Sequence, residues 1–326
     1  MSVNTRHTGW GVFTLLVILL LGGACNKQPV SGSAENWSYY SSSNSSLANN
    51  EITCLAKDGK GNIWIGTKYG FSKFDGKTFT NWQENDGLIY HEITALAVDR
   101  QGNVWLGTPF GVSRFDGQNF VNYTIENGLR SNNVYAVAVD DRNVVWIGTG
   151  NGVGSFDGQQ WTWYQKEGGQ ALVNNHVRSI MIDHLGRKWF GTEYGVSEFD
   201  KGVWTTYLSP KALANYVFSV FEDSKNNVWF GTMAGALRID PSGNQIALTT
   251  ENGLIYDQVE CIAEDGSGAL WFGTQFGVSK YDGSSIVNYN TDKGLAADWT
   301  TAILLSDNGD LWFGSVNKGL AVLHKQ

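Results

Sequence analysis

The sequence is short of the side chains that do chemistry. In 326 residues there are three cysteines and five histidines, and 23 lysines and arginines stand against 31 aspartates and glutamates. The basic residues gather into no stripe able to neutralise a run of phosphates, which argues against nucleic acid as a partner. A formal charge of −8 implies solubility and little more. No Asp-rich loop and no His/Cys cluster has metal-ligand spacing, so neither a metal nor another cofactor is expected. Long apolar runs are also missing, with one exception near the N-terminus.

That exception runs from Val12 to Leu21, behind Arg6 and His7. It is too short to span a bilayer but suits the core of an export signal. It leads into Leu21-Gly22-Gly23-Ala24-Cys25, which resembles the bacterial lipobox, with Gly22 standing where a leucine is common. The resemblance implies that Cys25 becomes the lipidated first residue, and Asn26 resembles an outer-membrane sorting signal. Residues 1–25 therefore read as a lipoprotein-type signal peptide. Residues 26–35, a patternless mixture of Pro, Ser, Gly and Lys, read as a flexible tether. The expected location is the bacterial cell envelope, with membrane contact only through the lipid on Cys25.

Tryptophan and glycine are plentiful instead. A Trp, one large apolar residue, a Gly and a Thr or Ser recur with the Trp at Trp64, Trp105, Trp146, Trp189, Trp229, Trp271 and Trp312. The spacings are 41, 41, 43, 40, 42 and 41 residues. A steady period in the forties, with short strands and Gly-marked turns in each unit, signals a β-propeller. Triplets such as Val104-Trp105-Leu106 are apolar throughout, so both strand faces must be buried. The glycine after each triplet leaves room for another backbone or a ring to come close. Each unit resolves into four strands, with Asp-Gly pairs such as Asp116-Gly117 predicting type I′ hairpins.

The last unit stops after its third strand, Gly319 to Leu323, while Trp37-Ser38-Tyr39-Tyr40 is a fourth strand without a unit. The two are expected to pair. The prediction is an all-β, seven-bladed propeller of four-stranded antiparallel blades over residues 36–326, its last blade closed by the N-terminal strand and its edges thereby hidden. Cys54 and Cys261 share a repeat position held elsewhere by Ala or Ser, so they read as small packing residues rather than a disulfide.

These units resemble the two-component regulator propeller repeat. The resemblance rests on Asp99-Arg100-Gln101-Gly102-Asn103-Val104-Trp105-Leu106-Gly107-Thr108 and on Gly111-Val112-Ser113-Arg114-Phe115-Asp116-Gly117, repeated seven times. It implies an extracytoplasmic sensor propeller that binds a ligand, often a carbohydrate, although this chain has one ring and no kinase. A protein-interaction scaffold of the envelope is the alternative. A third reading is a lyase, since streptogramin lyases are also propellers with similar repeats.

In a propeller, the loops into the innermost strands and the loops after the Trp strands share one face. Exposed aromatics there stack on sugars or anchor partners, and the candidates are Tyr69, Phe110, Tyr194 and Phe276, with His91, His176 and Trp299 in the loops before the inner strands. The second inner-strand residue is Thr in three units but Tyr135, Arg178, Phe218 and Glu260 in the others. Of these, Tyr135, Arg178 and Glu260 are added as candidates for a carbohydrate or similar polar ligand at the channel mouth. No copy carries a local cluster of acid and base, so no catalytic residue is expected and the protein reads as a non-enzyme, a monomer with a small ligand or an envelope partner. The repeated aspartates Asp58, Asp99, Asp140, Asp183, Asp223 and Asp265 read as turn formers.

Overall fold

The structure is a computed structural model that describes residues 35–167 and 172–325. The signal segment, Cys25 and the tether up to residue 34 lie outside the described residues.

Seven four-stranded sheets follow one another along the chain, each ordered from its inner to its outer strand. Blade one, for example, consists of Ile52–Lys57, Ile63–Thr67, Phe71–Phe74 and Phe79–Trp82. The other inner strands are Ala95–Val98, Val134–Val139, Val177–Ile182, Val217–Glu222, Val259–Glu264 and Thr300–Leu305. Each packs on the next, and the last packs on the first, so the circle closes. The Trp strands are buried at every residue, as their unbroken apolar triplets require.

The closing strand is where the sequence puts it. Trp37–Tyr40 pairs antiparallel with Leu320–Leu323 in the register Trp37↔Leu323 to Tyr40↔Leu320. The Tyr40 ring stacks on Trp312 at 5.7 Å and 7°. Beyond the ladder, His324 lies 2.7 Å from the Ser38 hydroxyl through Nε2 and 2.9 Å from Asp310 through Nδ1.

The repeated aspartates do more than turn the chain. Oδ1 of Asp99 accepts the N–H groups of Gln101 and Asn103, while Oδ2 accepts the indole N–H of Trp105 at 3.0 Å. The same Asp-to-Trp bond, six residues on, recurs for Asp58, Asp140, Asp183, Asp223 and Asp265. It gives each buried indole the partner its N–H needs. Blade seven has Ser306 instead, and there the Trp312 indole N–H is buried without a partner.

Two local expectations need correction. Asp116-Gly117 forms no two-residue type I′ turn, which would require positive φ at both residues. The strands stop at Phe115 and restart at Phe120, and only Gly117 has positive φ. The Asp116 carboxylate spans the four-residue loop by accepting the N–H groups of Gln118 and Asn119. The glycine after each Trp triplet admits inner-strand side chains and backbone rather than rings. A Cβ on Gly231 would lie 2.4 Å from Ser219 Oγ and 2.7 Å from the Val259 carbonyl of the next blade.

Cys54 and Cys261 are free, and burial pushes the Cys54 thiol up to about 12 and the Cys261 thiol up as well. Inert packing is their role.

Candidate functional site

The two sets of loops share a face, because they hydrogen-bond to each other. Gly70 N–H donates to His91 O, Gly152 to Asn175 O, Gly235 to Asp257 O and Gly319 to Asn50 O. Each bond ties the loop after one Trp strand to the loop that leads into the next blade. The mouth of the ring is thus a connected surface.

The second inner-strand residue owes its special position to a β-bulge. The register with the Trp strand shifts across Thr53, Tyr135, Arg178, Phe218, Glu260 and Thr301. A bulged residue leaves the ladder and its side chain is re-aimed. Thr301 uses this to tie blades together, its Oγ1 donating to Ile52 O at 2.7 Å; Thr94 Oγ1 likewise donates to Val134 O at 2.6 Å, while Thr53 Oγ1 pairs with Cys54 Sγ. Tyr, Arg, Phe and Glu are too long for that bond. They occupy consecutive blades three to six, whereas threonine holds blades seven, one and two. The mouth therefore has a plain side and an elaborated side.

On the elaborated side the guanidinium of Arg178 lies over the rings of Tyr135 and Tyr216, 5.4 and 5.0 Å from their centroids. Its Nε donates to Glu193 at 3.1 Å, and Glu193 also accepts the Tyr216 hydroxyl and lies 3.3 Å from His176. Burial works against the Glu193 charge, but the bond and charge of Arg178, with His176 and Tyr216, hold its carboxyl below the usual range. Burial and the nearby Glu193 raise the Tyr216 phenol. Arg178 thus donates through Nε to Glu193, and its charge and a side-chain hydrogen bond also act on the Tyr216 phenol. A planar guanidinium of this kind suits a carboxylate or a pair of hydroxyls.

Glu260 is fixed separately. Oε1 accepts the side-chain amides of Gln258 and Gln275, each at 3.0 Å, and Oε2 accepts the indole of Trp299 at 2.9 Å. Arg178 and Glu260 form no ion pair with each other; each is anchored within its own blade and loops. Phe218 stands in the blade between them, 4.9 Å from the Tyr216 ring.

The loop aromatics are exposed rather than packed away: Tyr69, Tyr194 and Phe276 at 55% and Phe110 at 53%. Tyr69 stacks on His91 at 5.2 Å and 6°, His91 touches Tyr90, and Tyr90 lies 4.4 Å from Phe110. These four rings form a ladder across blades one and two. Phe276 rests against Tyr256 at 4.7 Å, beside the Glu260 group. Tyr194 has no ring neighbour of this kind among the described residues. The structure thus brings Tyr135, Arg178 and His176 together, sets Glu260 with Trp299, and places Tyr69, Phe110 and His91 elsewhere. Sequence reasoning missed Glu193 and Gln258, and placed Tyr216 and Gln275 in the mouth loops without singling them out; their roles become visible only when the bulge and loop contacts are known. No group of three or more His, Cys, Asp or Glu residues able to hold a metal occurs among the described residues.

Five stretches of the chain match the family model described as the two component regulator propeller: residues 46–69, 87–110, 128–151, 212–234 and 253–276. Among curated proteins none matches the sequence. The extracellular domain of a putative hybrid two component system from B. thetaiotaomicron superposes with a TM-score of 0.76 at 19% identity, over 89% of this chain and 42% of that one. A catalytically inactive virginiamycin B lyase from Staphylococcus aureus with quinupristin gives 0.72 at 14%, over 89% and 99%. PorZ, a surface component of the type-IX secretion system of Porphyromonas gingivalis, gives 0.69 at 17%, over 85% and 47%. At these identities the likeness is one of fold. The chain spans about two-fifths of the extracellular domain it resembles.

Proposed function

From a chain built of two-component regulator propeller repeats, we propose an exported, non-catalytic binding propeller that takes a carbohydrate or similar polar ligand at its channel mouth. One observation carries this reading: the large bulge residues fall on four consecutive blades and two of them, Arg178 and Glu260, are immobilised by their neighbours. A cationic fork held between two rings and a carboxylate fixed by three donors offer opposite hydrogen-bonding characters across one channel. Polyols need both, and Phe276, Tyr194 and Trp299 supply exposed ring faces beside them. Prior fixation of these groups lowers the ordering cost of binding. Lipidation at Cys25 would hold the ring in the cell envelope.

The test is a polysaccharide and oligosaccharide panel, acidic sugars included, followed by calorimetry with the best binder. Arg178→Ala and Glu260→Gln should each weaken binding at least about tenfold, a little over 1 kcal/mol, with unchanged circular dichroism. Wild-type affinity in both variants removes the site. The exposed ladder from Tyr69 to Phe110 supports a second reading, an envelope protein as partner. Cross-linking in membranes that depends on Phe110 but not on Arg178 would favour it. Consumption of a streptogramin B by the purified chain would revive the lyase reading.

A further inference from the structure

Six of the seven blades receive the incoming loop in the same way. A leucine five residues before the inner strand, or seven in blade two, wedges between the blades: Leu47, Leu88, Leu129, Leu172, Leu254 and Leu295, none more than 5% exposed. In five of these blades the carbonyl just before that leucine is held by a side chain from the outer strand. Asn81 donates to Ser46 O, Asn122 to Gly87 O, Trp163 to Gly128 O, Asn288 to Gly253 O and Tyr39 to Gly294 O. In blades one, two, four and six a third-strand serine also accepts the N–H just after the leucine, as Ser72, Ser113, Ser197 and Ser279 do from Ala48, Ile89, Val173 and Ile255.

Blade five abandons every part of this latch. The wedge position is Ala212, which is exposed, and the loop there winds into a 3₁₀ turn over Ala212–Asn215. The serine position is Leu237 and the asparagine position is Ala247, paired across the sheet. The aromatic pair that fills the outer corner in blades one to four, such as Phe115↔Phe120, is Ile239↔Gln245. Alanine in place of both the wedge leucine and the asparagine, and Ile239↔Gln245 in place of an aromatic pair, leave a cleft of about 270 Å³ between blades four and five, bounded by Tyr207, Leu208, Ala214, Phe230, Leu237 and Ala247. A dry apolar cavity of about 150 Å³ suffices for benzene, so this cleft has room for a fused second ring.

The charge around it has one sign. Lys211 and Arg238 are its charged lining residues, with no carboxylate among them. Arg238 is occupied over Trp229 at 5.9 Å and near Asp240 at 4.0 Å, whereas Lys211 is exposed and has no ion-pair partner among the described residues. We propose that the cleft between blades four and five is a second ligand site, which takes an amphipathic aromatic anion of two fused rings with its charge at Lys211. None of Arg178, Tyr216 and Glu260 lines it, and it does not depend on the reading given for them.

The probe is 2-naphthalenesulfonate, titrated into the full chain by calorimetry and fluorescence. Saturable binding of one molecule per chain is expected. The double variant Leu237→Ser with Ala247→Asn restores the latch seen in blades one, two and six, and should weaken binding at least tenfold with no loss of melting temperature. Lys211→Gln, a surface change that leaves the fold intact, should weaken the sulfonate severalfold and leave neutral naphthalene unaffected. Arg178→Ala should change nothing. Absence of saturable binding to the wild type, or equal affinity in the wild type and Lys211→Gln, overturns the proposal. If the double variant melts lower, Ala214→Leu, which narrows the cleft without touching the latch, decides instead, and unchanged affinity there counts against the site.

Discussion

At the scale of single residues, the aspartate that opens each turn governs how well the tryptophan beneath it is held. Asp265 shows the energetics most clearly. Burial opposes its charge, but hydrogen bonds from Ser267, Trp271 and Lys280 outweigh that and bring its carboxyl down to about 2. A carboxyl whose pKa falls on folding stabilises the native state above its unfolded pKa, and that contribution fades as pH drops through the folded value. Asp265→Asn should therefore lower the melting temperature at pH 6, and the gap from wild type should close between about pH 4 and pH 2. A gap that persists unchanged at pH 2 would assign the effect to packing. The aspartates themselves were legible from their spacing. Their bond to the indole was not, because a six-residue separation across a hairpin carries no periodic signal until the turn is built. The same holds for Arg178. Its oddness among threonines was visible, but its partner Glu193 lies fifteen residues away on another loop, and only the bulge aims the two at each other.

Among the elements, the closing strand matters most. The sequence showed an outer strand without a blade and a blade without an outer strand, and strand pairing leaves one solution to that arithmetic. What it did not show is the polar relay from Ser38 through His324 to Asp310, since these groups meet only after the chain ends have come together. The relay has the atom order of a hydrolytic triad, yet Ser38 sits within a paired strand opposite Val322, where it serves as a fastening. Removing residues 26–47 takes away the strand, the Tyr40 ring on Trp312 and the Leu47 wedge, and should depress the melting temperature by about 10 °C or more. Tyr40→Ala alone should cost about 3 kcal/mol. An unchanged melting curve for the truncated chain would show that the ring closes without its clasp. The cleft beside blade five was also present in the sequence, as Ala212, Leu237 and Ala247. It went unnoticed because a missing wedge has meaning only once the other six are known to be wedges.

Taken whole, the molecule is a repeat whose copies agree about packing and disagree about one edge of the channel. Agreement made the fold readable, since seven equivalent tryptophans must be solved in the same way. Disagreement falls where we propose that the ligand binds, and there the sequence shows which residues differ but not which of them meet. Export and anchoring concern the entire chain. Cys25→Ser expressed in a bacterium with an outer membrane should move the protein from the detergent-extracted membrane fraction to the soluble periplasmic fraction, without changing the melting temperature of the purified ring. Equal partition of both forms would remove the lipid anchor.

The register of the clasp has a mechanical corollary. The outer strand of blade seven begins at Trp37, opposite Leu323 and beside the Asp310 turn, and runs from there toward the mouth. Any pull transmitted through residue 35 thus arrives on the face away from the mouth, leaving the channel opening unobstructed. It also arrives at one end of the strand, where the ladder would peel open pair by pair instead of sliding. The contacts nearest that end are the Tyr289 hydroxyl donating to Glu35 and the His324 N–H donating to Asn36 O, so a side-chain bond, not the backbone ladder alone, takes the first load.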